Sequence, residues 1–244
     1  MAGGVFKFFL AVSALAHSWA GPGPDGRHLA FWISDGLGIG IPCLVILAFR
    51  RESRRDLGLS PPPWSLLLLC ITLGAGLWVP LWALDSLRGR YLTDPLQVEA
   101  IARLLDLGWG GRTVVLLTVA LAPAVFEELA FRGLLQPVLT AAWGTTLGIL
   151  STGLLFALFH MSPAQSVAQF ALGCVLGWMR WRTGSLWPSV FCHARNNAIT
   201  IVAIFRDPGF LGEPPAIPPL PWVAGGLALA ALCAWALKRR TGAR

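Results

Sequence analysis

The segment Phe126–Arg132 reads FEELAFR and places three ionisable side chains inside an otherwise apolar region. The preceding segment, Thr113–Val125, carries no charge. Carboxylates inside a membrane are costly to bury, face the protein interior and mark functional sites. On a helix, Glu128 and Arg132 lie four residues apart on one face and can pair, whereas Glu127 points about 100° away. We therefore expect Glu127 to be available for chemistry; the alternative is a purely structural ion-pair cluster.

The composition indicates a helical membrane protein. Of the 244 residues, 55% are hydrophobic and 13% are charged, whereas soluble domains have about 25% charged residues. The net charge of +7 comes mainly from short basic clusters beside apolar segments, as the positive-inside rule describes, so nucleic-acid binding is not expected. The five cysteines are scattered without CxxC spacing and are expected to be small apolar core residues. We predict an all-α, polytopic transmembrane bundle that forms a single domain over residues 1–244.

Long apolar runs predict about eight membrane-spanning helices. The first run is either a retained span or a cleaved signal peptide, because it is short and small residues follow it. Between the third and fourth spans, Pro95–Leu107 reads as an amphipathic helix that either lies on the bilayer or forms a lid. The predicted spans are Val5–Ala20, Leu29–Phe49, Trp64–Leu84, Thr113–Ala142, Thr145–His160, Ala164–Trp181, Leu186–Phe205 and Pro221–Leu237.

Basic residues predict how the bundle is oriented. The Arg50–Arg55 cluster follows the second span and places that end in the cytoplasm. Alternating sides from there puts Lys7, Arg180, Arg182 and Lys238–Arg240 in the cytoplasm as well. Both termini are therefore expected to be cytoplasmic.

Polar or aromatic residues recur at one-turn spacing within three of these spans. The sets are Glu127/Glu128 with Arg132, Phe156 with His160, and His193 with Asn197. If Trp143–Gly144 forms a tight turn, Glu127 and His160 each lie sixteen residues from it, roughly 24 Å along antiparallel helices, and are therefore level. His193 reaches the same depth if this hairpin projects roughly 10 Å further into the cytoplasm than the next one.

These residue types fit amide hydrolysis. A converging carboxylate and imidazole, here Glu127 and His160, can hold and deprotonate a water molecule. His193 and Asn197 offer hydrogen-bond donors to a developing oxyanion. No GxSxG or HExxH motif is present, so serine and zinc-helix hydrolases lack their usual marks.

Taken together, Glu127-Glu128-x-x-x-Arg132, Phe156-x-x-x-His160 and His193-x-x-x-Asn197 resemble the three signature motifs of one family. It is the CAAX protease and bacteriocin-processing (CPBP, or Abi) family, which is similar to the Rce1-like intramembrane glutamic endopeptidases. The resemblance covers residues 127–197 and implies that Glu127 and His160 activate the water. It implies an oxyanion hole formed by His193 and Asn197. The supporting residues it implies are Glu128, Arg132 and Phe156.

The resemblance implies an endopeptidase of a bacterial inner membrane that cleaves a membrane-associated protein or peptide near its C-terminus. Whether that substrate is lipidated, as in CAAX proteins, or carries a C-terminal sorting signal or membrane anchor stays open. No cofactor and no nucleic-acid partner are expected. A zinc ion held by Glu127, His160 and His193 is the alternative mechanism. A bacteriocin-immunity protein, a scaffold or a transporter is the non-enzymatic alternative.

Overall fold

The computed structural model describes residues 57–89, 108–160, 166–207 and 216–242. Within these ranges the regular secondary structure is helical and no strand occurs, so the predicted all-α class is confirmed for them. Two π-helical segments, π1 (Leu116–Leu121) and π2 (Leu129–Leu135), interrupt the α-helices. The α-helices are α1 (Trp64–Gly89), α2 (Trp109–Val115), α3 (Ala122–Glu128), α4 (Gln136–Phe159), α5 (Ser166–Thr183), α6 (Trp187–Arg206) and α7 (Leu220–Thr241).

Three helical segments in the described ranges are long and apolar enough to cross a membrane: Trp64–Leu87, Ala122–Phe159 and Leu220–Thr241. Helices α5 and α6 are less apolar, because α5 ends in two arginines and α6 contains the polar segment His193–Asn197. The first two predicted spans and the predicted amphipathic helix lie outside the described residues. A total of eight spans therefore stays a prediction.

A tight turn divides α4 into two antiparallel arms. Gly144 has φ 80° and ψ 166°, a combination that essentially only glycine adopts. A Cβ atom added to Gly148 would lie 2.6 Å from the Cα atom of Thr140, whereas residues eight apart on a continuous helix are about 12 Å apart. The turn predicted at Trp143–Gly144 is confirmed.

Each π segment ends two residues before a proline. The segment π1 ends at Leu121, before Pro123, and π2 ends at Leu135, before Pro137. Proline has no N–H to donate to the preceding turn, and wider π turns are one way for a helix to absorb a lost hydrogen bond. Pro123 lies one turn before Glu127, where a proline often kinks a membrane helix. The structure instead places wider turns on both sides of α3, the short helix that carries the two carboxylates.

Helices α1 and α7 approach each other closely at a pair of glycines. A Cβ atom added to Gly76 would lie 2.7 Å from the carbonyl oxygen of Gly226, so this contact requires residues without side chains. The surrounding core contains the buried free thiols of Cys70, Cys192 and Cys233. The prediction that the cysteines are small apolar core residues is confirmed for these three.

Helix α7 extends past its predicted end at Leu237 to Thr241, and α1 likewise ends later than predicted. The apolar pattern of α7 stops at the basic residues of its last turn, but helical hydrogen bonding continues through them. Arg182 Nη2 donates to the carbonyl oxygens of Lys238 at 2.7 Å and Gly242 at 2.6 Å. These bonds satisfy carbonyls at the helix end and stabilise the additional turn.

The turn between α5 and α6 is docked onto the chain just before α1. Gly184 adopts φ 68° in this turn, a left-handed conformation that glycine adopts without steric cost. Ser185 Oγ donates to the Ser60 carbonyl at 2.8 Å, and the Leu186 N–H donates to the Gly58 carbonyl at 2.7 Å. These bonds fix the start of α6 relative to α1.

Candidate active site

A buried ion pair and a histidine form the centre of the candidate site. Arg132 Nη1 donates to Glu128 Oε1 at 2.8 Å, and both side chains are completely buried. His193 Nδ1 lies 3.0 Å from the same Oε1 atom, and its side chain is also buried. The ion pair that the spacing of Glu128 and Arg132 predicted is therefore present. The contact from His193 to Glu128 was not predicted.

Arg132 is also bonded to the backbone of α5. Its Nη2 donates to the Gly173 carbonyl at 3.0 Å, and one turn later Gln136 Nε2 donates to the Gly177 carbonyl at 2.9 Å. A Cβ atom added to Gly173 would lie 3.0 Å from the Cα atom of Gly153 on α4. Small residues let membrane helices approach this closely. The GxxxG spacing of residues 173–177 is the sequence signal that would have predicted this contact.

Phe156 packs against the ion pair and both imidazoles. Its ring is completely buried, and its centroid lies 4.3 Å from Arg132 Cζ. The ring makes edge contacts with His160 and His193 at centroid distances of 4.7 and 5.6 Å. Because one rigid ring contacts three polar side chains, it restricts the rotamers of all three.

Glu127 and His160 face each other at the edge of this cluster. His160 Nε2 lies 4.0 Å from Glu127 Oε2, beyond hydrogen-bond range. His160 Nδ1 lies 2.8 Å from the Phe156 carbonyl oxygen. Because a carbonyl only accepts, Nδ1 carries the proton in this bond, and Nε2 of the neutral ring keeps its lone pair. Two proton acceptors are therefore directed at one small space. This agrees with the prediction that Glu127 and His160 are level in the hairpin.

The two members of this pair differ in exposure. The side chain of Glu127 is 7% exposed and that of His160 is 21% exposed. Glu127 Oε2 is buried and makes no hydrogen bond within the described residues, which is costly for a carboxylate unless a ligand or water supplies the partner. The pair of Glu127 and His160 thus lies at the boundary between the buried cluster and the surface of the protein.

His193 and Asn197 lie one turn apart on α6. Nδ1 of His193 is engaged with Glu128, so Nε2 is the ring nitrogen that remains for a substrate. Asn197 is partly exposed. The structure therefore brings His193 into the cluster through Glu128 and places Asn197 on the adjoining turn of the same helix.

A family comparison matches this part of the chain. Residues 109–199 match a family model described as type II CAAX prenyl endopeptidase Rce1-like. Over this segment the chain is similar to that family. The resemblance inferred from the three motifs is thereby confirmed, and each of the predicted site residues lies inside the matched range. Comparisons with curated proteins and with solved structures gave no match.

The Rce1-like match supports a peptidase role in general. Together with the three apolar helical segments, it indicates an integral membrane protein. The matched segment begins in α2 and ends in α6, so it includes the hairpin in α4 and helix α5, which packs against it.

A zinc ion held by Glu127, His160 and His193 would require these three side chains to converge on one point. Among the residues that the structure describes, no group of three or more His, Cys, Asp or Glu side chains is placed to hold a metal ion. Glu127, His160 and His193 therefore do not form such a group in this arrangement.

Proposed function

We propose that this protein is an intramembrane glutamic endopeptidase that hydrolyses a peptide bond near the C-terminus of a membrane-associated protein. The observation that carries the proposal is the 4.0 Å separation of Glu127 Oε2 and His160 Nε2. Two proton acceptors that face each other inside an Rce1-like segment are suited to holding a nucleophilic water.

A water molecule fits the geometry of this gap. At about 2.8 Å from both acceptors, its two hydrogen bonds would enclose an angle of about 90°, which water tolerates well. Its remaining lone pairs would point away from Glu127 and His160, toward a substrate carbonyl. As the water oxygen forms a bond to the carbonyl carbon, its proton passes to Glu127 or His160. The same proton is then transferred to the amide nitrogen as the C–N bond breaks.

The oxyanion would be stabilised from α6 by His193 and Asn197. Because Nδ1 of His193 is engaged with Glu128, its donor to substrate must be Nε2–H. With Nδ1–H donating to the Glu128 carboxylate, that Nε2 proton is present when the ring is doubly protonated. Glu128, balanced by Arg132, would orient the ring in the way that a buried acid orients the histidine of a catalytic triad. Phe156 would hold these groups in place.

The substrate we propose is a protein or peptide held at the membrane by a lipid or a C-terminal anchor. The family description names CAAX prenyl endopeptidases, so a prenylated CAAX peptide is the first substrate to test and a bacterial C-terminal sorting signal the second. The enzyme would act without a metal, in a bacterial inner membrane, from a polar cavity within about eight spans.

The test uses purified full-length protein, both peptide classes and mass-spectrometric detection of products. Glu127→Gln and His160→Ala are expected to lower the rate by about 100-fold or more, because each removes a proton acceptor. Asp207→Asn removes an exposed carboxylate at the end of α6 and should keep full activity. Strong chelators should have no effect.

Several results would contradict the proposal. Full activity in the folded Glu127→Gln variant would remove its basis. Loss of activity with a chelator and recovery with Zn²⁺ would favour the zinc mechanism. An immunity protein or scaffold would be favoured by two results together. The folded wild-type protein would cleave neither peptide class, and both substitutions would leave its phenotype in cells unchanged.

A further inference from the structure

A pocket separate from the candidate active site lies where the C-terminal ends of α5 and α7 meet. Its volume is about 680 Å³. None of the described residues that line it belongs to the candidate active site, and none of them carries a carboxylate. The aromatic and basic residues of its lining are Trp178, Trp181, Trp235, Arg182, Lys238 and Arg239.

The basic residues of this pocket have different roles. Arg182 is buried and its Nη2 is occupied by two carbonyl oxygens at the end of α7. Lys238 and Arg239 are exposed, and neither pairs with a carboxylate within the described ranges. The Arg239 guanidinium lies 4.6 Å from the centroid of the Trp235 ring, in cation–π range. The pocket therefore presents two cations that no carboxylate of the described residues neutralises.

The pocket lies at the level where a membrane-spanning helix leaves the bilayer. The apolar part of α7 ends at the basic residues of its last turn, and tryptophan is enriched at this depth in membrane proteins. Leu232, one turn before Trp235, is 61% exposed. A phosphate at this level would meet Lys238 and Arg239, while an attached acyl chain would meet the indole rings and the apolar face of α7.

We propose that this pocket binds the headgroup of an anionic phospholipid, with its phosphate at Lys238 and Arg239 and its acyl chains along α7. Positive charge alone would attract any anion. The indoles and the exposed apolar face add a surface that a soluble phosphate compound cannot use, so the arrangement favours a lipid. This site is separate from the proposed proteolytic centre and does not depend on it.

The experiment is native mass spectrometry of the full-length protein in detergent, titrated with phosphatidylglycerol or phosphatidylcholine of the same chain length. Phosphatidylglycerol is expected to bind more tightly. Lys238→Gln and Arg239→Gln should each weaken its binding about five-fold, because each removes one basic residue from the headgroup. Arg240→Gln is the matched control: it is adjacent, basic and exposed, but does not line the pocket, and should bind like wild type.

Trp235→Leu keeps the net charge and is expected to weaken phosphatidylglycerol binding as well. Circular dichroism and thermal unfolding check that each variant is folded. Equal affinity for the two lipids would overturn the proposal, because the anionic headgroup would then contribute nothing. Equal weakening by Arg239→Gln and Arg240→Gln would also overturn it, since diffuse electrostatic attraction would then suffice. Unchanged binding in Trp235→Leu would overturn it as well, because the aromatic lining would then make no contribution. If glycerol 3-phosphate or inorganic phosphate binds as tightly as the lipid, the ligand of the pocket is a soluble anion and the proposal is wrong.

Discussion

Glu127 and Glu128 are adjacent residues with different environments. Glu128 contacts both Arg132 and His193 and is completely buried, whereas Glu127 faces His160 across 4.0 Å. The helical rotation of about 100° per residue explains why one carboxylate reaches the ion pair and the other does not. This difference was predictable because Arg132 lies one turn away in the same chain segment.

The contact between Glu128 and His193 was not predictable in the same way. The two residues lie 65 positions apart, and their distance depends on how α6 is rotated and shifted against the hairpin. Local periodicity shows which face of a helix is polar, but not which neighbouring helix covers that face. The supporting role of Glu128 could be inferred from the motifs, but its contact with His193 could not.

The two carboxylates should respond differently to the same substitution. Glu128→Gln leaves the buried guanidinium of Arg132 without a counter-charge and is expected to lower the free energy of unfolding by about 3 kcal/mol. Glu127→Gln is the matched control, because the carboxyl group that it replaces forms no ion pair with Arg132. It should change the free energy of unfolding by less than about 1 kcal/mol. Denaturant unfolding of both purified variants in detergent measures the difference, and equal destabilisation would contradict this account of the ion pair.

Among the secondary-structure elements, the hairpin within α4 was the most predictable. The Trp143–Gly144 turn fixes which residues of its two arms are level, and one glycine with φ 80° is enough to make the turn. The π segments were less predictable. Pro123 and Pro137 are visible in the sequence, but a helix can respond to a proline with a kink, a π turn or a break, and packing against other helices decides among these.

The contact between α4 and α5 was not predicted either. The GxxxG spacing of residues 173–177 indicates a close helix contact, but it does not show which helix packs there. Gly153 and Gly173 bring the two backbones together, which presents the Gly173 carbonyl to Arg132. The ion pair of the site therefore depends on two residues that have no functional group of their own.

Gly173→Ala is expected to force α4 and α5 apart. The added Cβ would lie 3.0 Å from Gly153 Cα and 3.2 Å from its carbonyl oxygen, and neither is the end of a flexible side chain. We expect a loss of about 1–3 kcal/mol in the free energy of unfolding and a slower proteolytic rate, because the Arg132 bond to residue 173 lengthens.

The control for this change is Gly225→Ala in α7. An added Cβ there meets no described atom within 4 Å, and alanine favours a helix by up to about 1 kcal/mol over glycine. Thermal unfolding and the cleavage assay should therefore show no loss in Gly225→Ala. If the two variants behave alike, close packing at Gly173 is not what supports the site.

For the molecule as a whole, the sequence predicted the helical class and the three motifs that meet at one site. It did not predict the relative depth of α6, which had to be assumed, because no local pattern records how far one hairpin is shifted against another. In the structure, contacts between distant segments fix the depth of α6, and one example is the hydrogen bond from Ser185 to Ser60. Neither serine belongs to a motif or periodic pattern, so the sequence does not indicate that the two residues meet.

Orientation is the prediction that concerns the entire chain. Basic residues flank the apolar segments on one side of the predicted topology, which places both termini and the Lys238–Arg240 cluster in the cytoplasm. A fluorescent protein fused after Arg244 should therefore be fluorescent, and alkaline phosphatase at the same point should be inactive. The same reporters inserted between Arg206 and Pro219, in the connection before α7, should give the opposite pair of results. If active phosphatase is found at the C-terminus, the bundle is inverted. The phospholipid pocket would then face the outer leaflet, while the distances within the candidate active site would be unaffected.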